Sequence, residues 1–324
     1  MSAVRARPRP RLGFAGVGWI GRHRLEAIEA SGAADVAALA DPAGSELDVE
    51  CHGAFDELLE LDLDGIVIAT PSALHAEQSI LALQHGLAVF CQKPLGRDAA
   101  ETAAVVRAAR RADRLLGVDL SYRQSAAAQA LHETARKGVL GRIYAGELVF
   151  HNAYGPDKPW CHDRSLAGGG CLIDLGTHLV DLALWLLGAE TAEVRSARLL
   201  SPHGLEVEEL ALVELDVEGV AVRLTCSWRL PAGRDAVIEA TLYGEDAGAS
   251  LHNVDGSFFD LRTELRVGTE ARSLVEPPDD WGGRTAVAWA LALAGGAGFD
   301  PEVERAIAVA RVLDAIYEAG RCAS

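Results

Sequence analysis

An alternation of short apolar runs with amphipathic runs, from Arg11 to Tyr122, is the feature that most constrains the fold. The apolar runs RLGFAGVG, DVAALAD, GIVIATP, LAVFCQKP and LLGVDLSY are typical of buried strands, and most segments between them have helical periodicity. Strands that alternate with helices form βαβ units, whose strands pair in parallel. We therefore predict an α/β domain with a doubly wound parallel sheet over residues 11–122.

The pattern changes after Tyr122 to helices followed by consecutive strands. We predict, in order, a helix over about 126–136, a strand near 143–150, a long polar loop, a helix over about 171–187, strand-like segments over about 194–275 and a closing helix. This order is typical of an α+β domain built on a largely antiparallel sheet, which we place over residues 123–324. Residues 1–10 are basic and interrupted by proline, and we predict a disordered tail there.

The charge balance disfavours polyanionic partners. Thirty Lys and Arg residues stand against 47 Asp and Glu residues, a formal net charge of -17, which repels the phosphates of nucleic acids and of anionic membranes. No uninterrupted apolar run reaches the ~18 residues that a membrane-spanning helix needs. We therefore expect a small-molecule ligand, with no nucleic-acid or membrane partner.

The six cysteines are far apart, and none belongs to a CxxC pair. Their spacing matches neither a disulfide framework nor a structural zinc site, so we expect free thiols in a reducing cytoplasm. The Cys, His and Asp residues within 161–178 have no zinc-like spacing, and the chain has no G-x-S-x-G elbow of a serine hydrolase. We predict a cytoplasmic protein without a bound metal.

The turn after the first predicted strand reads GVGWIG over residues 16–21. In such a G-x-G-x-x-G turn, the glycines permit the tight turn, the approach of a pyrophosphate and close packing of helix on strand. Asp41 lies 20 residues beyond Gly21, where a carboxylate binds the ribose 2′-hydroxyl of NAD and repels the 2′-phosphate of NADP. No Arg or Lys occurs in residues 42–44. The first domain is therefore predicted to be a Rossmann fold that binds NAD in preference to NADP.

Two later predicted strands end in residues suited to chemistry. Thr70-Pro71 closes the third and Gln92-Lys93-Pro94 closes the fourth, at the carboxyl edge where open α/β sheets bind ligands. The ammonium group of Lys93 could hydrogen-bond a substrate hydroxyl and stabilise a developing alkoxide. An ordinary surface lysine in a turn is the alternative interpretation.

In the second domain, a glycine-rich loop leads into the predicted helix CLIDLGTHLVDLALWLLG. Asp174, His178 and Asp181 are spaced i, i+4 and i+7, which places them on one helical face. A histidine with a carboxylate one turn away can act as a general base, while the acid orients the ring. An ion pair on the helix surface is the alternative interpretation.

These segments resemble the glucose–fructose oxidoreductase / inositol dehydrogenase / MocA (Gfo/Idh/MocA) family over nearly the whole chain. The resemblance rests on GFAGVGWIG, ALADP, IVIATPSALHAEQ, CQKPLG, YRQSAAAQALHETARKGVLGRI, GGGCLIDLGTHLVDLALWLLG and the closing helix. It implies that Lys93, Asp174 and His178 are the catalytic residues. Two positions depart from the family pattern, since Gln92 replaces a glutamate and Arg24 stands where many members have a histidine.

The resemblance implies an NAD-dependent oxidoreductase that transfers a hydride between nicotinamide and a secondary hydroxyl or ketone of a sugar, amino sugar or cyclitol. His178 would accept the hydroxyl proton, Lys93 would polarise the same oxygen, and Asp174 would orient His178 or bind a neighbouring hydroxyl. Relatives of this kind are often homodimers or homotetramers. Two alternatives share the fold, namely a redox-neutral NAD-using enzyme that cleaves glycosides and a non-enzymatic NAD-binding regulator.

Candidate ligand contacts come from the strand ends, the family motifs and the polar loop. The cofactor-binding candidates are Gly16, Gly18, Trp19, Ile20, Gly21, Asp41, Thr70, Pro71, His75, Gln92 and Lys93. The substrate-binding candidates are Arg123, Asn152, Tyr154, Trp160, Asp174 and His178.

Overall fold

The computed structural model describes residues 9–322, which divide into two compact units. Within the described residues, the first unit comprises 9–96, 100–119 and 283–304, and the second comprises 97–99, 120–282 and 305–322. Residues 1–8 of the predicted N-terminal tail lie outside the described residues.

A six-stranded sheet, parallel throughout, forms the first unit. Its strands are β1 (Arg11–Ala15), β2 (Asp35–Ala40), β3 (Cys51–His52), β4 (Gly65–Ile68), β5 (Ala88–Cys91) and β6 (Leu116–Val118). Helices α1 (Trp19–Ser31), α2 (Phe55–Leu59), α3 (Ser72–Gln84) and α4 (Ala99–Ala112) connect them. The order β3-β2-β1-β4-β5-β6 confirms the predicted doubly wound sheet, and it reverses between β1 and β4, where such sheets bind ligands.

An eight-stranded sheet forms the second unit. Its strands are β7 (Ile143–Asn152), β8 (Glu193–Leu200), β9 (Leu210–Val217), β10 (Val220–Ser227), β11 (Ala236–Gly244), β12 (Gly248–Asn253), β13 (Leu261–Val267) and β14 (Glu270–Val275), in the order β14-β13-β12-β11-β7-β10-β9-β8. All neighbours pair antiparallel except β7 and β10, which pair in parallel. The predicted α+β domain on a largely antiparallel sheet is therefore confirmed.

Helices of the second unit cover this sheet. They are α5 (Ala126–Arg136), the short α6 (Arg164–Ala167), α7 (Thr177–Leu187) and α9 (Arg305–Cys322). Helix α5 packs on β12, β13 and β14, α7 packs on β7, β9 and β10, and α9 packs on β8. Alternate residues of β7, including Leu148 and Phe150, are buried in the same apolar core as α7.

Residues Arg164–Leu187 have the length and apolar composition of a helix that could cross a membrane, but 78% of the apolar stretch is buried inside the protein. A helix in a protein core has apolar residues on all of its faces, because protein surrounds it. The predicted helix over 171–187 is not a regular α-helix, since a π turn over Leu172–Gly176 precedes α7. Turns of this kind inside helices are frequent at functional sites.

The segment 283–304 belongs to the first unit, whereas the sequence division places it in the second domain. Its helix α8 (Arg284–Ala294) buries Ala286, Trp289 and Ala290 in the core of the first unit, and the Trp289 ring lies 5.7 Å from that of Phe90. Helical periodicity predicts an apolar face but not the core in which that face is buried.

Candidate functional site

At two positions of the glycine-rich turn after β1, only glycine fits without a steric clash. Gly16 has a φ of +82°, and a Cβ there would lie 2.6 Å from the carbonyl oxygen of Ala69. A Cβ at Gly21 would lie 2.2 Å from the carbonyl oxygen of Gly16. These are the tight turn and the close helix packing that a dinucleotide-binding turn requires.

The start of α1 is suited to an anion. Gly18 occupies the N-cap position, no side chain caps the helix there, and the first turn contains no acidic residue. Trp19, at the first helical position, is 68% exposed. Backbone N–H groups at a helix N-terminus attract phosphate through the helix dipole. These residues therefore fit the pyrophosphate of a dinucleotide.

Asp41 directly follows β2 and supports the same turn. Its Oδ2 accepts a hydrogen bond from the backbone N–H of Val17 at 2.9 Å, and its Oδ1 accepts one from Ala43 at 2.9 Å. The residue is only partly buried, and each carboxylate oxygen has a second lone pair for a ribose hydroxyl. Asp41 can therefore brace the glycine-rich turn and still bind a ligand.

Thr70 and Pro71 follow β4 and are tied to the segment after β5. The imidazole of His75 is buried, with Nε2 2.7 Å from the Thr70 carbonyl oxygen and Nδ1 2.7 Å from the Pro94 carbonyl oxygen. Burial lowers the pKa of His75, although the two carbonyls oppose this effect. This geometry makes His75 a link between two strand ends, and its contact with the cofactor stays a prediction.

Gln92 and Lys93 follow β5, and the Lys93–Pro94 peptide bond is cis. The amide nitrogen of Gln92 donates to Asp119 Oδ2, and Arg24 Nε donates to the same oxygen at 2.6 Å. The two positions that depart from the family pattern, Gln92 and Arg24, therefore meet at Asp119. The sequence analysis did not single out Asp119, although an acid directly after the apolar run LLGV was a visible signal.

In the second unit, Asp174 lies in the π turn and His178 lies on α7. Asp174 Oδ2 accepts a hydrogen bond from Trp228 Nε1 at 3.1 Å. The ring of His178, which is 8% exposed, packs edge to face on Tyr122 with a centroid distance of 4.8 Å. Burial raises the pKa of Tyr122, and the Asp174 carboxylate adds to the effect. Both candidate catalytic side chains of this unit are therefore held by buried aromatic residues.

Asp181 and Arg123 form a buried ion pair. Arg123 Nε donates to Asp181 Oδ2 at 2.7 Å, and its Nη2 donates to Oδ1. Burial raises the pKa of Asp181, while the Arg123 guanidinium lowers it. The pair holds the turn Ser121–Gln124, which carries Tyr122, on α7. Asp181 therefore engages the Arg123 guanidinium in the structure, and the substrate contact of Arg123 stays a prediction.

The three loop candidates for substrate binding have different surroundings. Asn152, at the end of β7, accepts a hydrogen bond through Oδ1 from the backbone N–H of Gly155 at 2.7 Å, which shapes the following turn. The side chain of Tyr154 is 55% exposed. Trp160 lies in a 3-10 turn over Pro159–His162 and is partly buried.

His162 is the last residue of the 3-10 turn that contains Trp160, and its ring lies near Trp228, which contacts Asp174. Its ring lies 5.9 Å from the ring of Trp228, the side chain that donates to Asp174. The loop 153–163 therefore reaches Asp174 through two aromatic side chains. Sequence analysis could not identify this contact, because Trp228 follows His162 by 66 positions.

The second unit contains buried free thiols. Among residues 9–322, no group of three or more His, Cys, Asp or Glu side chains is placed to hold a metal ion. Cys171 and Cys226 are buried free cysteines with their sulfur atoms 3.9 Å apart. Burial raises the pKa of Cys171 well above its ordinary value, so this thiol has little thiolate character.

Comparison with known proteins identifies the family. The model of the oxidoreductase family with an NAD-binding Rossmann fold matches residues 11–120, and that of the GFO/IDH/MocA C-terminal domain matches residues 128–250. The rhizopine catabolism protein MocA of Rhizobium meliloti is 31% identical over 194 residues, which are 58% of this chain and 60% of that protein. D-xylose 1-dehydrogenase (NADP(+)) 2 of Haloferax volcanii is 28% identical over 95% of each chain.

A solved structure has the same fold from end to end. GenD2 from gentamicin A biosynthesis, in complex with NAD, superposes with a TM-score of 0.83 over 100% of this chain and 97% of that one, at 22% identity. The family models cover both units in the order that the sequence motifs predict. The chain belongs to the Gfo/Idh/MocA family of oxidoreductases.

Proposed function

We propose that this chain is an NAD-dependent oxidoreductase that converts a secondary hydroxyl of a sugar, amino sugar or cyclitol to the ketone, or catalyses the reverse reduction. The proposal depends above all on the buried neighbourhood of Asp174 and His178, each held by an aromatic side chain. A carboxylate and an imidazole four positions apart on one helical segment are suited to the removal of a hydroxyl proton. The Rossmann unit supports the proposal because it combines a dinucleotide-binding turn with a lysine at the end of β5.

The choice of NAD over NADP follows from Asp41. A 2′-phosphate at this carboxylate would meet a like charge, and residues 42–46 contain no Arg or Lys to bind it. Cofactor choice is a property of each member, because one relative carries NADP in its name and GenD2 was solved with NAD. Titration with each dinucleotide tests this part, and we expect Asp41→Ser to reduce the preference for NAD.

Three side chains have distinct roles in the proposed reaction. The bound nicotinamide supplies hydride acceptance and donation. His178 takes the proton from the reacting hydroxyl, and Lys93 donates a hydrogen bond to the same oxygen as negative charge develops on it. Asp174, oriented by the Trp228 N–H, directs the His178 ring or accepts a hydrogen bond from a neighbouring substrate hydroxyl.

A polyhydroxylated substrate is the best match to these groups. The relative from Haloferax volcanii is named for a sugar, D-xylose, and Trp160 and Tyr154 on the polar loop can stack on a sugar ring. The proposal includes a homodimer or homotetramer in the cytoplasm. Light scattering of the purified protein tests the oligomeric state.

NADH absorbance at alkaline pH tests the activity, with NAD or NADP and a panel of sugars, amino sugars, inositols and nucleotide sugars. We expect NAD-linked reduction that Lys93→Ala abolishes. Cleavage of a glycoside without accumulated NADH would instead establish the redox-neutral enzyme. NAD binding without turnover of any substrate, unchanged by loss of Lys93 or His178, would favour a regulator.

A further inference from the structure

A buried polar cluster joins three elements of the first unit at the end of its sheet. The buried cluster consists of Arg24 on α1, Gln92 after β5 and Asp119 after β6, which are 5%, 7% and 1% exposed. Arg24 and Gln92 both donate to Asp119 Oδ2. The main chain continues the arrangement, because Asp119 N–H donates to the Cys91 carbonyl and Gln92 N–H donates to the Ile68 carbonyl, both at 2.9 Å.

The charges of the buried cluster suit an amide at position 92. Arg24 and Asp119 have opposite charges, and such charges are stable in a protein interior only when they are paired. The Gln92 amide provides a hydrogen that the Asp119 carboxylate accepts. An ionised carboxyl at position 92 would have no hydrogen to donate and would place a second negative charge beside a single guanidinium. An oriented hydrogen bond, in addition to packing, therefore holds Gln92.

Lys93 lies between two anchored residues. Gln92 is held on one side by the buried cluster, and the Pro94 carbonyl on the other side contacts His75. We propose that Arg24, Asp119 and Gln92 are positioning residues that fix the direction in which the Lys93 ammonium group leaves the end of β5. The proposal rests on the proposed function only for the role of Lys93 in turnover.

The test compares Gln92→Glu, which adds a negative charge to the cluster, with Gln92→Met, which removes the amide donor and leaves the Arg24–Asp119 pair and the charge unchanged. Acylation of lysine amines by limiting acetic anhydride, followed by peptide mass spectrometry, is a readout that needs no turnover. The chain contains only three lysines, so Lys137 and Lys158 serve as internal references. Gln84→Glu, which adds the same charge at an exposed position on α3, is the matched control.

We expect Gln92→Glu to change the acylation rate of Lys93, relative to Lys158, by about threefold or more. We expect kcat to fall about 10- to 100-fold with KM changed by less than about threefold, because misplacement of a catalytic group affects the transition state most. Gln92→Met should change both quantities in the same way, because it removes the hydrogen bond to Asp119 without adding a charge beside Lys93. Gln84→Glu should change neither.

A folded Gln92→Glu protein with parental Lys93 acylation would overturn the proposal, as would a folded Gln92→Met protein with parental Lys93 acylation. If Gln92→Glu does not fold, Gln92→Met by itself tests the proposal. We expect Gln92→Met to change the acylation rate of Lys93 by about threefold or more, and an unchanged rate would again overturn the proposal. If the parent protein has no dehydrogenase activity but the acylation pattern holds, the proposed function fails and the positioning role stands.

Discussion

The two units hold their candidate functional groups by different means. In the first unit, backbone turns form the dinucleotide-binding segment, since Gly16 and Gly21 leave no room for a side chain, while His75 contacts main-chain carbonyls and the cluster at Asp119 holds Gln92. In the second unit, side chains hold side chains, as Trp228 does for Asp174 and Arg123 for Asp181. A site built from backbone turns should be sensitive to added side-chain volume. A site built from side-chain pairs should be sensitive to the removal of one member of a pair.

The largest effect should come from removal of one proposed catalytic group in each unit. We expect Lys93→Ala and His178→Ala each to lower kcat by about 10³-fold, because each group stabilises charge or moves a proton in the transition state. NAD affinity, measured by calorimetry, should change by less than about threefold. Lys137→Ala, on an exposed ion pair with Glu133, is the control. Near-parental turnover in either variant would remove that residue from the mechanism.

The next effect tests the side-chain pairing of the second unit. Asp181→Ala leaves the Arg123 guanidinium buried without its carboxylate, so we expect the free energy of unfolding to fall by about 3 kcal/mol. Glu245→Ala removes the partner of Arg142 in an exposed ion pair and should cost less than about 1 kcal/mol. Urea denaturation measures both. Equal losses would mean that burial does not distinguish the two pairs.

Added volume in the first unit should have a slightly smaller effect. Gly21→Ala forces a methyl group to within 2.2 Å of a backbone oxygen, and we expect a loss of about 2–3 kcal/mol in unfolding free energy together with weaker NAD binding. Gly53→Ala is the control, because nothing lies within 4 Å of its added Cβ. A Gly21→Ala protein that keeps parental NAD affinity would show that the turn is more compliant than its geometry indicates.

The smallest effect concerns the link made by His75. Burial lowers its pKa in the folded protein from the ordinary value of 6.5, so the unfolded chain binds a proton more readily. The contribution of His75 to the free energy of unfolding is therefore fully present above about pH 6.5. It decreases as the pH falls below that value, by at most about 1.4 kcal/mol per pH unit. Denaturation of the parent and of His75→Asn at pH 5 to 7.5 measures this. An equally steep acid loss in the variant would assign it to other groups.

Local motifs explain why much of the first unit could be predicted. Gly16, Gly21 and Asp41 lie within a single βαβ unit, and the sterics of the turn restrict which residues fit there. The cluster at Asp119 could not be predicted in the same way, because Arg24 and Asp119 are 95 positions apart. Pairing at such separation depends on which strands become neighbours in the sheet.

The second unit shows the same limit more strongly. Helical spacing correctly placed Asp174, His178 and Asp181 in a helical segment, but it did not indicate that Asp181 pairs with Arg123. The ion pair between these last two residues spans 58 positions. The π turn at Asp174 has no signature in the periodicity of the apolar residues.

The sequence by itself determined the alternation of strands and helices, the change to consecutive strands after the first domain and the dinucleotide-binding turn, because each depends on residues close together in the chain. Only the tertiary structure decided that α8 joins the first core, that Arg24 and Gln92 share Asp119, and that Trp228 holds Asp174. These contacts join distant segments, and burial in a packed core selects them from many pairings that local propensities leave equally open.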